Sequence, residues 1–84
     1  MKEKDKTSVQ LSQVLCRLKE VRCHQGLTQK DIAAKLNVSQ NAYSKIENGR
    51  TNLQLSVFFL ICEILDIEAG PLISYIADTR KITG

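Results

Sequence analysis

The chain has 84 residues, is 43% hydrophobic and 25% charged, and carries 12 Lys and Arg against 9 Asp and Glu for a net charge of +3. This length makes one domain, and the composition is that of a soluble globular protein. The longest apolar run, Val57 to Cys62, falls far short of the roughly 20 residues needed to cross a bilayer. The charge gives a mild bias toward polyanions without identifying one.

The charged start Met1-Lys-Glu-Lys-Asp-Lys6 lacks the apolar core of a signal peptide, so cytoplasm is the expected location. Residues 1–7 are expected to form a polar, flexible arm. Thr7 or Ser8 then caps a first helix over about 8–25, with Leu11, Val14, Leu15, Leu18, Val21 and Arg22 on one mostly apolar stripe. Gly26, free to adopt a left-handed conformation, stops it.

Thr28 caps a second helix to about residue 36, and Asp31 is placed to reach back to the cap amide. Ile32, Ala33 and Leu36 form its inner face. Asn37 suits a left-handed C-cap, Val38 plugs the turn, and Ser39 caps a third helix to about residue 48. In that helix Tyr43, Ile46 and Ala42 face inward, and Gly49 ends it.

A fourth helix, about 54–65, carries two apolar stripes. Leu55, Phe58, Ile61, Cys62 and Leu65 make a normal core stripe; Val57, Leu60 and Ile64 make a second. So short a chain has little left with which to cover both, so self-association through the second stripe is expected, with Tyr75 alongside; the alternative is cover by a fifth helix. Asp66 ends the fourth helix. Gly70 and Pro71 open the fifth, whose apolar side is Leu72, Ile73, Tyr75 and Ile76, and residues 80–84 read as a loose tail. The helix-turn-helix domain thus spans 8–79.

Catalysis finds no support: there is one histidine, and no GxGxxG, P-loop or HExxH pattern. Cys16, Cys23 and Cys62 form no CxxC pair, and His24 lacks ligand partners at zinc-site spacing, so neither metal nor cofactor is expected. Reduced thiols are the plain expectation. Cys16 and Cys23, one heptad apart on the outer side of the first helix, leave redox sensing open.

The helix–turn–helix pattern from Thr28 to Asn48 points instead to duplex DNA. A recognition helix presents its N-terminal residues to the major groove, and here those are Gln40 and Asn41, with Ser44 and Lys45 one turn on. Gln and Asn suit the paired donor and acceptor of adenine, and Lys suits guanine. Gln29 at the start of the second helix, Ser39, and the donor-rich loop Asn48, Arg50, Thr51 and Asn52 are placed for phosphates. Arg22, falling on an apolar stripe, needs a partner because an unpaired buried charge is costly; Glu47 is the expected one.

Arg22, Gly26-Leu27-Thr28-Gln29, Ile32-Ala33, Val38-Ser39-Gln40, Tyr43-Ser-Lys-Ile-Glu-Asn-Gly-Arg50 and Leu65 together resemble the phage-repressor-like (Xre or Cro/C1 type) helix-turn-helix family, over about Leu15 to Ile67. The resemblance implies an all-α, compact five-helix, lambda-repressor-like domain. It gives Gln29, Asn48 and Arg50 to phosphates and Gln40, Asn41 and Lys45 to bases, and the Arg22–Glu47 pair also looks like a family feature. Asn37 stands where the family usually has glycine, and Leu60 where it often has a charge.

The expected function is a homodimeric transcription regulator on a near-palindromic operator, of the restriction–modification controller or phage-repressor type. The alternative is an antitoxin or other interaction module that binds a protein partner through the fourth and fifth helices.

Overall fold

The computed structural model describes the backbone of residues 6–83 and the side chains of residues 9–76. Five helices follow in order: α1 (Lys6–His24), α2 (Gln29–Leu36), α3 (Gln40–Glu47), α4 (Leu55–Leu65) and α5 (Ala69–Thr83), with no strand among the described residues. The all-α, five-helix expectation is met.

Sharp turns make this packing possible, and each is built alike. The chain enters the left-handed region at Gly26 (φ 77°), Asn37 (φ 62°), Gly49 (φ 75°) and Asp66 (φ 58°). In every case the next residue's N–H bonds back to a carbonyl five residues earlier: Leu27 to Arg22 at 3.1 Å, Val38 to Ala33 at 3.0 Å, Arg50 to Lys45 at 2.8 Å and Ile67 to Cys62 at 2.9 Å. These bonds satisfy carbonyls that a helix end would leave open, and reverse the chain within a few residues.

The core gathers Leu18 of α1, Ile32 and Ala33 of α2, Tyr43 of α3, and Phe58, Ile61, Cys62 and Leu65 of α4. Ala33 is small where α2 meets its neighbours, as its place in the sequence requires. Several expectations need correction. Leu11 lies on the α1 stripe but is 38% exposed and outside the core. Val38 does not plug the turn: it is 40% exposed, its backbone holding the turn while its side chain stands partly outside.

Helix α4 departs further. Leu55, expected in the core, is 63% exposed, because α4 meets the core through Phe58, Ile61, Cys62 and Leu65 and its first residue lies beyond them. Val57 and Ile64 are half-buried against the molecule's own core, whereas Phe59 and Leu60 stand 51% and 49% exposed. The open face is therefore Leu55, Phe59 and Leu60, rather than Val57, Leu60 and Ile64. Helix α5 leaves it open by lying along α1 instead of over α4. Of the apolar side expected for α5, Ile76 is buried and Leu72 half-buried, but Ile73 and Tyr75 are exposed.

The helix ends shift as well. Helix α1 begins at Lys6, before the expected caps at Thr7 and Ser8, so the expected arm lies outside the described residues only over positions 1–5. Helix α5 begins at Ala69 and continues through Thr83, where a tail was expected from residue 80.

Candidate nucleic-acid interface

Helices α2 and α3 are each only eight residues long, too short to hold their shape alone, so their ends are fixed by side chains. Thr28 Oγ1 accepts from the N–H of Asp31 at 3.0 Å, and Asp31 Oδ2 accepts from the N–H of Thr28 at 2.8 Å. The backbone N–H of Thr28, and after it the Thr28 hydroxyl, hold the Asp31 carboxyl below its ordinary pKa. Ser39 Oγ accepts from the N–H of Ala42 at 3.0 Å, which starts α3. Both caps are as expected.

The inner face of α3 is anchored by one carboxylate. Glu47 Oε2 accepts from Arg22 Nε at 2.7 Å and from the Tyr43 hydroxyl at 3.0 Å. Its Oε1 accepts from Arg22 Nη2 at 3.0 Å and from Gln29 Nε2 at 2.8 Å. Arg22 Nη1 donates to the carbonyl of Leu27 at 2.8 Å. Arg22 and Glu47 are both buried, and the expected pair is present as a two-pronged contact.

Burial pushes the Glu47 pKa up, but the hydrogen bonds from Arg22, Gln29 and Tyr43 outweigh it and leave the group below the usual glutamate value. The hydrogen bond to Glu47 raises Arg22 more than burial lowers it. Burial, then the charge of Glu47, lifts Tyr43 far above an ordinary phenol. The ionised pair and the neutral phenol are thus the stable forms, and they tie α3 to the end of α1 and the start of α2.

With its inner side so held, α3 turns Gln40, Asn41 and Lys45 outward, all exposed. Ser44 is half-buried, and its hydroxyl oxygen accepts from Asn48 Nδ2 at 3.3 Å. It therefore braces Asn48 as well as facing the helix surface. Ser39, Asn48, Arg50, Thr51 and Asn52 are exposed, and the backbone bond from Arg50 to Lys45 seats Arg50 at the end of α3. Gln29 is half-buried rather than free, with one amide hydrogen committed to Glu47. Around the reading helices stand Lys30, Lys35, Lys45 and Arg50 beside the exposed carboxylate Asp31, whereas Glu63, Asp66 and Glu68 belong to α4 and the segment after it.

Sequence reasoning missed four contacts here, among them the bond from Arg22 to the Leu27 carbonyl. Tyr43 and Glu47, and likewise Ser44 and Asn48, are four residues apart on one helix, a spacing that signals neighbours. The Gln29–Glu47 bond joins two helices and had no local signal. Of the expected self-association residues, Leu60 lies on the open face of α4, Val57 and Ile64 are half-buried, and Tyr75 lines an open groove of about 640 Å³ with Arg17, Val21 and Leu72 between α1 and α5. Cys16 and Cys23 are exposed and Cys62 is buried, its thiol pushed up by burial. No metal-binding group of His, Cys, Asp or Glu side chains forms among the described residues, and no helix there is long and apolar enough to cross a membrane.

Neither a curated protein nor a solved structure shows significant similarity to the chain. A helix-turn-helix family model matches residues 18–72, roughly two-thirds of the chain, including α2, α3, α4 and the Arg22–Glu47 pair. Matched length, order of elements and outward polar face of α3 agree. The chain belongs to the Cro/C1-type, Xre-like helix-turn-helix family of DNA-binding regulators.

Proposed function

We propose that the protein is a homodimeric transcription regulator that reads a near-palindromic operator through α3. The observation that carries this reading is the contrast between the two sides of α3. Tyr43 and Glu47 are locked inside, while Gln40, Asn41 and Lys45 are exposed on a helix whose first turn is capped by Ser39. Side chains on a rigid support can be placed accurately against base edges, and each good base contact discriminates by about 1–3 kcal/mol.

Gln40 and Asn41 take adenine edges, Lys45 a guanine edge, and Ser44 a lesser contact beside them. Gln29, Ser39, Asn48, Arg50, Thr51 and Asn52 hold the flanking phosphates and so fix register. Two copies joined through Leu60, Phe59 and Leu55 would set their recognition helices about 34 Å apart, one turn of the duplex. A controller or phage-repressor type of regulator fits a domain this small.

The exposed apolar face of α4 also supports a second reading, in which it receives a different protein, as an antitoxin does. Sedimentation across a concentration series separates them: a monomer–dimer equilibrium supports the regulator, and a monomer at all concentrations supports the other partner. Gel shifts on the duplex upstream of the protein's own gene test the reading as a whole. A discrete complex that survives excess unrelated DNA supports it, and equal competition by any duplex overturns operator reading.

A further inference from the structure

Four donors converge on Glu47, but they do not depend on it equally. Arg22 supplies two and Tyr43 a third, all buried, and these three satisfy and neutralise the carboxylate without help. The fourth, Gln29 Nε2 at 2.8 Å, comes from a half-buried side chain on another helix. Glu47 can do without this bond; Gln29 cannot, since Oε1 of Glu47 is what holds its amide in place.

A glutamine amide is planar and its two N–H bonds diverge, so fixing one sets the direction of the other. Gln29 is half-buried and its amide nitrogen makes no second bond among the described residues, so the remaining amide hydrogen is available to a ligand. It does so at the start of α2, where the N–H groups of Gln29 and Lys30 also have no helical partner, that of Asp31 being taken by Thr28. Arg22 balances the charge of Glu47, and the Asp31 carboxylate of the same turn is folded back onto the N–H of Thr28.

We infer that Glu47 is a positioning residue for DNA binding: through its bond to Gln29 it aims the free amide hydrogen of that side chain at a backbone phosphate. This rests on the phosphate role proposed above for Gln29. Since Glu47 belongs to α3, the phosphate contact of α2 and the base contacts of α3 share one anchor, and backbone register and base register are set together.

Glu47→Asp keeps a negative charge near Arg22 but draws the carboxylate back by one methylene from Gln29, and from Arg22 and Tyr43 as well, so its stability is read alongside its binding. Binding of the full-length protein to a fluorescent duplex of arbitrary sequence is measured for the wild type, Gln29→Ala, Glu47→Asp and the double variant, with a thermal melt of each. Loss of one hydrogen bond from a neutral amide to an anionic phosphate predicts a roughly ten- to hundred-fold weaker affinity for each single variant. The double variant should be no weaker than the weaker single one. The salt slope should barely change, because a neutral amide replaces no counterion.

Additive losses would make the effect of Glu47 purely structural and overturn the inference. Unchanged binding by Gln29→Ala would overturn it too, while leaving the regulator reading intact; failure of the wild type to bind any duplex would sink both. A measurement on the wild type alone covers the case in which Glu47→Asp does not fold. Nuclear spin relaxation of the Gln29 side-chain amide should report it as ordered as the backbone in the free protein, and a freely rotating amide contradicts the assignment.

Discussion

Gln25 Nε2 donates to the carbonyl of Leu65 at 2.7 Å, joining the end of α1 to the end of α4. Leu65 lies in the last turn of α4, where carbonyls have no helical partner, so the amide serves as a cap supplied from another helix. Gln25→Ala should lower the unfolding free energy by about 1 kcal/mol. Urea unfolding checks this, and duplex affinity should not change, since neither residue belongs to the reading face.

The Arg22–Glu47 pair dominates the stability of the reading unit. Glu47→Ala or Arg22→Ala strands a buried charge, and each should cost about 3–5 kcal/mol, a large share of the stability of a domain this small. The depressed pKa of Glu47 gives its contribution a sign with pH: it is fully present above the unfolded value of about 4.3 and is lost as pH falls through the lower folded value. Asp31 acts in the same direction. Melting temperature should therefore fall steeply below about pH 4.3, and Glu47→Gln should show a flatter acid limb on a lower plateau. An acid limb of unchanged slope in that variant would remove Glu47 from the account.

Asp66 occupies a left-handed position at the C-terminus of α4, with φ 58°. A side chain is strained there, and a negative charge opposes the helix dipole. Asp66→Gly relieves both and should raise stability by about 0.5–1 kcal/mol, the gain reduced by the greater freedom of glycine in the unfolded chain. Chemical denaturation measures it; a loss of stability would mean that the carboxylate has a favourable contact.

Much of this architecture is legible in the residues because turns and caps are local. Gly26, Thr28 with Asp31, Asn37 and Ser39 announce four helix boundaries by their own conformational preferences, and each does what those preferences imply. Arg22 was legible for another reason: a charge on an apolar stripe demands a partner. The faces of α4 were not legible. With apolar residues almost all round, its periodicity cannot say which side is covered, and the answer depends on α5 lying along α1. For the same reason the inward turn of Gln29 escaped notice, since its bond spans two helices and 18 residues of sequence.

The open face of α4 gives the dimer its test. Leu60→Glu places a charge among Leu55 and Phe59 without touching the buried side of the helix. It should leave a folded monomer with melting temperature little changed, and weaken operator binding at least ten-fold, because each half-site must then be bound alone. Sedimentation equilibrium reads the first effect and gel shift the second; a dimer of undiminished strength would place self-association elsewhere.

The central claim is that the outer side chains of α3 read bases, and one comparison tests it most directly: the affinity of Gln40→Ala with Lys45→Ala for an operator duplex and for an unrelated duplex at the same salt concentration. Base readout predicts that operator affinity falls by about two orders of magnitude or more while the unrelated duplex is bound only slightly less well. A parallel drop on both duplexes would contradict it, leaving those side chains as contacts to the DNA backbone.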